Sequence, residues 1–334
     1  MKAVAHTDNL PIDRPGALVD IEAPDPEPGP NDLLVRPRAV SVNPVDIKTR
    51  LGKPASAEEP RILGWDASGE VVGLGADVSG FGVGDEMWYS AQIDRPGTDA
   101  ELHLVDARIA ARKPERLDHA EAAAMPLTTV TAWECLFDRL GYTMEPGDHN
   151  ARTPLLLING AGGLGSMALQ LARHAGIRVT ATAGRQVSRD WCREMGASDI
   201  IGHDELKDVP DNGFARILCA HDTDLYFDDM SRLVAPQGLV CAVASTQKPH
   251  DLQPMMAKSA GFVWELVFTR SLFQTPDMAR QGEILATAAK WVDKGELKTT
   301  LTETLRGLSA ETFIEAHRRL ESGRMIGKLV VKFD

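Results

Sequence analysis

Residues 155–176 read LLLINGAGGLGSMALQLARHAG. Four apolar residues in a row, Leu155 to Ile158, suit a strand covered on both faces. SMALQLARHAG then places its apolar residues at helical spacing. Between them stands Gly160-Ala-Gly162-Gly163-Leu164-Gly165, the G-x-G-x-x-G spacing of a dinucleotide turn in its strand–turn–helix setting. Gly160 is expected to permit the tight turn and Gly162 the close approach of a pyrophosphate. Gly165 is expected to let the helix pack closely on the strand. The unsatisfied N–H groups of the first helical turn, including those of Gly163 and Leu164, then face the phosphate charge.

The next strand decides which nicotinamide cofactor fits. Residues 179–184 read VTATAG and carry no carboxylate where an NAD-binding chain would place one for the ribose hydroxyls. Arg185 follows at once, with Arg189 four residues on. A guanidinium can hold a 2′-phosphate through paired charge-assisted hydrogen bonds, whereas a carboxylate would repel it. The expected cofactor is NADPH, with Arg185 the better ligand and Arg189 either a second ligand or a solvated helix residue.

Outward from this unit, RDWCREMGA, DIIGH, ARILCAH, LYFDDMSRLVAPQG and LVCAVA continue an alternation of helix and strand. That is the pattern of a doubly wound parallel sheet. The first third differs. AVAH, DLLVRPRAVSVN, GEVVGLG, DEMWYSA and AELHLVD are short strands set apart by prolines and glycines, as in EAPDPEPGPND, and suggest a barrel-like β domain. Near the end, SAETFIEAHRRLESG reads as a helix with Ser309 as its N-cap, and GKLVVKFD as a last strand whose β character suits the first domain. The expected class is therefore α/β in two domains. A β-rich domain comprises 1–124 and 296–334, and the nucleotide-binding domain, 125–295, is inserted into it.

A chain of 334 residues exceeds one ordinary core of about 100–200 residues, consistent with two domains. The net charge of -12 disfavours nucleic acid and anionic membranes as partners but not an anionic small molecule in a basic pocket. No apolar run approaches the roughly 20 residues of a membrane span, and the first residues lack a signal-peptide core, so the expected location is the cytoplasm. Cys135, Cys192, Cys219 and Cys241 form no CxxC pair and read as small buried thiols.

Further stretches carry a resemblance. They are SVNPVD (41–46), GWDASGEVVGLG (64–75), VGDEMW (83–88), AAAMPLTTVTAWE (122–134), the nucleotide turn and the closing ESGRMIGKLVV. Together they resemble the medium-chain dehydrogenase/reductase superfamily over nearly the whole chain. The likeness is to its quinone oxidoreductase branch and, within that, to the zinc-type alcohol dehydrogenase-like subgroup. The resemblance implies a GroES-like β domain and a Rossmann domain. It also implies a homodimer. By family position Asn43 stands where zinc members carry a ligand cysteine, and Trp65 where they carry a ligand histidine, with Asp66 beside it. Zinc needs three donors of the Cys, His or carboxylate type around an open position, and asparagine and indole do not supply them. The expectation is an enzyme with no metal, reducing a quinone or another conjugated carbonyl with hydride from the nicotinamide. The resemblance marks Asn43 as a catalytic residue; Asp46 and Lys48, three and five residues on, are further candidates, although quinone reductases often carry a tyrosine where Lys48 falls. Asn43 would donate to the acceptor oxygen, Asp46 would orient backbone or Lys48, and Lys48 would offer a cation to an enolate or point into water. Thr128 and Thr129 would hold the nicotinamide end, or cap a helix. Other readings are an enoyl or alkenal reductase, a zinc-independent alcohol dehydrogenase, and a non-catalytic NADPH-binding sensor.

Overall fold

The computed structural model describes residues 1–333. Its strands run, in chain order, β1 (Lys2–His6), β2 (Val19–Glu22), β3 (Asp32–Ser41), β4 (Arg61–Ile62), β5 (Asp66–Leu74), β6 (Glu86–Ser90), β7 (His103–Asp106), β8 (Ala110–Arg112), β9 (Leu155–Ile158), β10 (Val179–Thr182), β11 (Asp199–Ile201), β12 (Phe214–Cys219), β13 (Val234–Ala242), β14 (Gly261–Trp264), β15 (Leu301–Arg306) and β16 (Lys328–Lys332). The chain divides into two compact units, one of Met1–Val130 with the segment from Phe268 onward, the other of Thr131–Val267.

In the second unit, β9 to β14 form a parallel sheet in the order β11-β10-β9-β12-β13-β14. The order reverses between β9 and β12. In such sheets the crevice at the carboxyl ends of those strands is where ligands bind. All four residues of β9 are buried, as a strand covered on both faces requires. On one face, Tyr226, Phe227, Met230 and Leu233 of the Thr223–Leu233 helix pack over Leu156, Ile158 and Ile217.

The first unit is mainly antiparallel. Strands β2, β1 and β4 make a small sheet, and a seven-stranded sheet runs β15-β16-β3-β5-β6-β8 with β7 on β3. Glycine and proline turns between short strands leave no room for longer elements, except where β3 and β5 run side by side, Val35 opposite Val71 and Val40 opposite Ala67. The last strand pairs with one of the first: Val330 lies opposite Ser41 and Val331 opposite Val40. Small residues let the His119–Ala123 helix lie close on this sheet, with Ala120, Ala123 and Ala124 against Ala39 and Val330.

The division differs from the sequence reading at 268–295, which that reading placed with the nucleotide-binding domain. The Arg280–Asp293 helix packs instead in the first unit. Gly282 is the reason: a Cβ there would stand 2.5 Å from the Arg108 carbonyl oxygen and 2.9 Å from that of Ala110. Ser309 caps the Ala310–Glu321 helix, accepting the Thr312 N–H.

Candidate functional site

In the second unit β9 ends at Ile158, and the chain turns through Asn159, whose φ of 69° is left-handed. The strained residue of the turn is therefore Asn159, a side chain type that tolerates this region, rather than Gly160. Gly160 is needed for packing: a Cβ there would lie 2.8 Å from Ala181 Cβ and 3.0 Å from Cys192 Sγ. Gly165 is held against the turn itself, its missing Cβ pointing 2.5 Å from the Gly160 carbonyl oxygen. The turn is fastened to β10, with the Asn159 N–H donating to Thr182 Oγ1 at 2.8 Å and the Gly160 N–H to the Thr182 carbonyl at 3.0 Å.

Gly162 is the N-cap of the Gly163–His174 helix, and no side chain caps it. The first N–H groups of a helix have no partner within it. Here glycine leaves them open, with Gly162, Gly163 and Leu164 half-buried. Open amides, a bare backbone and the positive end of a twelve-residue helix fit a cofactor pyrophosphate.

Arg185 is exposed and begins the Gln186–Met195 helix, just past β10. Arg189 is engaged elsewhere: its Nη2 lies 3.4 Å from Glu205 Oε2, and Glu205 also accepts the Gly202 N–H. One residue beyond the sequence reading joins this edge. The Ala183 N–H donates to the Ile201 carbonyl at 2.9 Å, so Gly184–Arg185 and Gly202–His203 leave the sheet side by side. His203 Cδ2 lies 3.6 Å from where a Gly184 Cβ would be, and His203 Nδ1 lies 3.0 Å from the Tyr226 hydroxyl. A residue 18 positions after Arg185 gives no local signal in the sequence; only strand register brings it there.

The first unit gathers a buried polar cluster. Asn43 precedes the Pro44–Gly52 helix, and its N–H donates to Asp46 Oδ2 at 2.5 Å, a carboxylate turned back on the helix start. Asn43 Nδ2 donates to the Ser41 carbonyl at 3.1 Å and to Asp66 Oδ2 at 3.2 Å. Asp66 Oδ1 accepts the Leu127 N–H at 3.1 Å. Into this cluster comes Lys328 from β16, donating to the Val42 carbonyl at 2.9 Å and to Asn43 Oδ1 at 2.5 Å, with Asp66 Oδ2 at 3.4 Å. The sequence reading missed Lys328, which lies 285 residues from Asn43.

Burial sets the charges here. It pushes the Asp46 carboxyl up to about 7, against the Asn43 N–H and Lys328. It pushes Asp66 up to about 6, against Lys328 and the Leu127 N–H. Asp99 rises well above the carboxylate range through burial and the neighbouring Asp46. Lys328 is lowered by burial, with Asp66 and Asp46 opposing.

Not all the expected residues come together. Asp46 is buried while Lys48, two residues on and so on another face of the helix, is exposed. Asp46 spends Oδ2 on the Asn43 N–H, not on Lys48. Both Asn43 amide hydrogens are already donated within the protein, so a bond to an acceptor oxygen would cost one of them. Thr128 and Thr129 sit in the first turn of the Pro126–Trp133 helix, past its cap. The Thr128 hydroxyl donates to the Met125 carbonyl at 3.0 Å, whereas the Thr129 hydroxyl is buried without a partner. Trp65 is core, fully buried and edge-on to Phe268 at 6.3 Å.

The donors do not fit zinc. Asn43 and Asp66 share the Lys328 ammonium, the indole of Trp65 is no ligand, and among the described residues no three His, Cys, Asp or Glu side chains are grouped to hold a metal. All four cysteines are free and buried. His103 stacks on Tyr89 at 5.4 Å, and His119 bonds Ser68 at 2.9 Å and Glu86 at 3.1 Å.

Comparison with known proteins identifies relatives for most of the chain. Residues 29–114 match the alcohol dehydrogenase GroES-like domain, and residues 195–331 match the zinc-binding dehydrogenase family. A zinc-type alcohol dehydrogenase-like protein of Staphylococcus aureus is 36% identical over 99% of both chains. The 2-methylene-furan-3-one reductase of Solanum lycopersicum is 28% identical over 99% of this chain and 79% of its own. Among solved structures, a Rhizobium etli protein assigned to the zinc-dependent alcohol dehydrogenases is 41% identical with a TM-score of 0.92, covering 99% of this chain and 98% of that one. The quinone oxidoreductase of Coxiella burnetii is 26% identical with a TM-score of 0.81, covering 99% of each chain.

Proposed function

The chain belongs to the medium-chain dehydrogenase/reductase superfamily, in its zinc-type alcohol dehydrogenase-like group, and from that premise we propose that it is an NADPH-dependent, zinc-independent reductase of quinones or other conjugated carbonyls. The observation that carries the cofactor choice is the end of β10. No carboxylate stands there, Arg185 is exposed, and His203 lies beside Gly184. Arg185 would clamp the 2′-phosphate, with His203 as a second contact and Arg189 held back by Glu205. The open amides at Gly162, Gly163 and Leu164 would hold the pyrophosphate. The nicotinamide supplies the hydride when bound.

In the first unit, the Lys328 ammonium already neutralises the buried Asp66, so the donor set has no place for a cation to stabilise an alkoxide. An acceptor that is electron-poor before it reacts needs less polarisation, which favours quinones and enones over alcohol oxidation. Of the three catalytic residues expected, Lys48 has the exposed group that could face a developing enolate, while Asn43 and Asp46 would act by fixing the start of its helix. Of the two threonines, Thr129 keeps a hydroxyl for the carboxamide. A homodimer would have β14 available, an edge strand with Trp264 45% exposed.

The second reading, an alkenal double-bond reductase, is favoured by the likeness to the 2-methylene-furan-3-one reductase. Product analysis separates the two. Incubation with NADPH and equimolar para-quinone and enone is expected to give hydroquinone first. Saturated ketone with the quinone untouched selects the second reading. Tight NADPH binding with neither product would leave a sensor.

A further inference from the structure

At the edge of β10 in the second unit, His203 is held from behind. It follows β11, and the Ala183 N–H on the Ile201 carbonyl sets it beside Gly184. Apart from the residues next in the chain, His203 Cδ2, at 3.6 Å, is the one described atom within 4 Å of where a Gly184 Cβ would be. The ring edge made by Cδ2 and its bonded neighbour Nε2 therefore lies over bare backbone, one residue before Arg185. The other side of the ring is anchored, with Nδ1 3.0 Å from the Tyr226 hydroxyl. Tyr226 belongs to the Thr223–Leu233 helix, packs in the core cluster of Ile158, Leu206 and Ile217, and is 7% exposed. The carboxylates on this segment are turned to Gly202. Glu205 accepts the Gly202 N–H and faces Arg189, and Asp204 Oδ1 stands 2.7 Å from where a Gly202 Cβ would be.

The Tyr226 bond fixes which nitrogen of His203 carries the hydrogen. Burial raises the Tyr226 phenol above its ordinary value of 10, so it is protonated at pH 7. Burial lowers His203, with His221 lowering it further and Asp204 opposing, so the neutral ring dominates at pH 7. A neutral imidazole has one N–H and one acceptor nitrogen. His203 Nδ1 is the phenol's one hydrogen-bond partner among the described residues. If Nδ1 donated to the phenol oxygen, the phenol hydrogen would be left without an acceptor in a nearly dry place, which is unfavourable. Nδ1 is therefore the acceptor and the ring hydrogen sits on Nε2. That nitrogen bonds no described residue, and it lies on the edge turned to Gly184.

We propose that Tyr226 is a positioning residue for cofactor choice: its hydroxyl holds the His203 ring so that a neutral Nε2–H donates to the 2′-phosphate of NADPH, alongside Arg185. This rests on the NADPH reading above. A second nitrogen donor at this edge reaches the phosphate without a second fixed positive charge, and its direction is set from the core of the sheet rather than by the exposed chain that carries it.

The test uses the whole protein and compares NADPH and NADH dissociation constants for wild type, Tyr226→Phe, His203→Ala and the double variant. His203→Ala is expected to weaken NADPH about tenfold, the scale of a hydrogen bond to a charged group, and to leave NADH unchanged. Tyr226→Phe should weaken NADPH about threefold to tenfold, and by nothing further in the His203→Ala background. His203→Gln, whose amide can reach the Nε2 position, should restore most of the NADPH affinity and make it indifferent to Tyr226→Phe. Nitrogen NMR of histidine-labelled wild type should show His203 protonated at Nε2 and bare at Nδ1. A protonated Nδ1 would overturn the proposal. So would a wild-type preference for NADPH that survives Tyr226→Phe, or equal losses of NADPH and NADH in that variant; the cofactor reading would stand in each case. No preference for NADPH in wild type would overturn both.

Discussion

The nucleotide turn and the Asn43–Lys328 cluster solve opposite problems with opposite means. The turn must offer bare backbone to a negative ligand, and does so with residues that lack side chains; Gly160, Gly162 and Gly165 lie within six positions of one another. The cluster must keep carboxylates in a dry interior, and does so with side chains drawn from β5, the end of β3, the Pro44–Gly52 helix and β16. Local sequence therefore specifies the first, and topology specifies the second. The comparison teaches that a site made of backbone is fragile to added atoms, while a site made of paired charges is fragile to removed ones.

The largest effect is expected from removing a charge. Lys328→Met leaves Asp66 and Asn43 Oδ1 without their donor in a buried place, and should cost about 3–5 kcal/mol, measured by urea unfolding. A loss under 1 kcal/mol would mean that the cluster is hydrated rather than dry. Next comes an added atom. Gly165→Ala drives a methyl against the Gly160 carbonyl and should cost about 1–3 kcal/mol of stability, with NADPH affinity falling further than stability alone predicts. Equal NADPH affinity in the variant would break the contrast.

The charge state of the cluster gives an effect with a definite sign. Asp46 is raised from 3.8 to about 7, so the folded chain holds a proton that the unfolded chain has lost. That contribution is full below about pH 4 and is lost as pH rises through about 7. Buried His103 and His317, both pushed down to about 3, act in the other direction below about pH 6.5. Comparing wild type with Asp46→Asn cancels the histidines. The stability difference between the two should change between pH 4 and pH 7 by the equivalent of about one proton, and parallel pH curves would assign the proton elsewhere.

The smallest effects lie at the edge of β10. Arg185→Ala should weaken NADPH roughly tenfold or more, in line with about 1.5–3 kcal/mol for charged hydrogen bonds, and leave NADH unchanged. Arg189→Ala should change NADPH affinity by less than about threefold, because that guanidinium already faces Glu205. Equal losses from the two arginines would put the phosphate nearer the Gln186–Met195 helix.

The same contrast explains what could be read from the chain. Strand, glycines and helix were legible in 155–176 because each signal is local. The left-handed Asn159 was not, since asparagine fills many other turns. Lys328 was hidden because GKLVVKFD reads as an ordinary strand with cations at its ends; the one available signal was a lysine within an apolar run. The Arg280–Asp293 helix is amphipathic, and amphipathicity does not say which sheet it covers. Asn43 was singled out by position, yet its two donated hydrogens are a matter of three-dimensional neighbours.

The measurement that bears most directly on the account is NADPH consumption by metal-stripped protein with a para-quinone under air exclusion, beside an NADH control. Rapid turnover that prefers NADPH, with the preference lost in Arg185→Ala, is the predicted result. Turnover that appears only when zinc is restored, or that favours NADH, would contradict it.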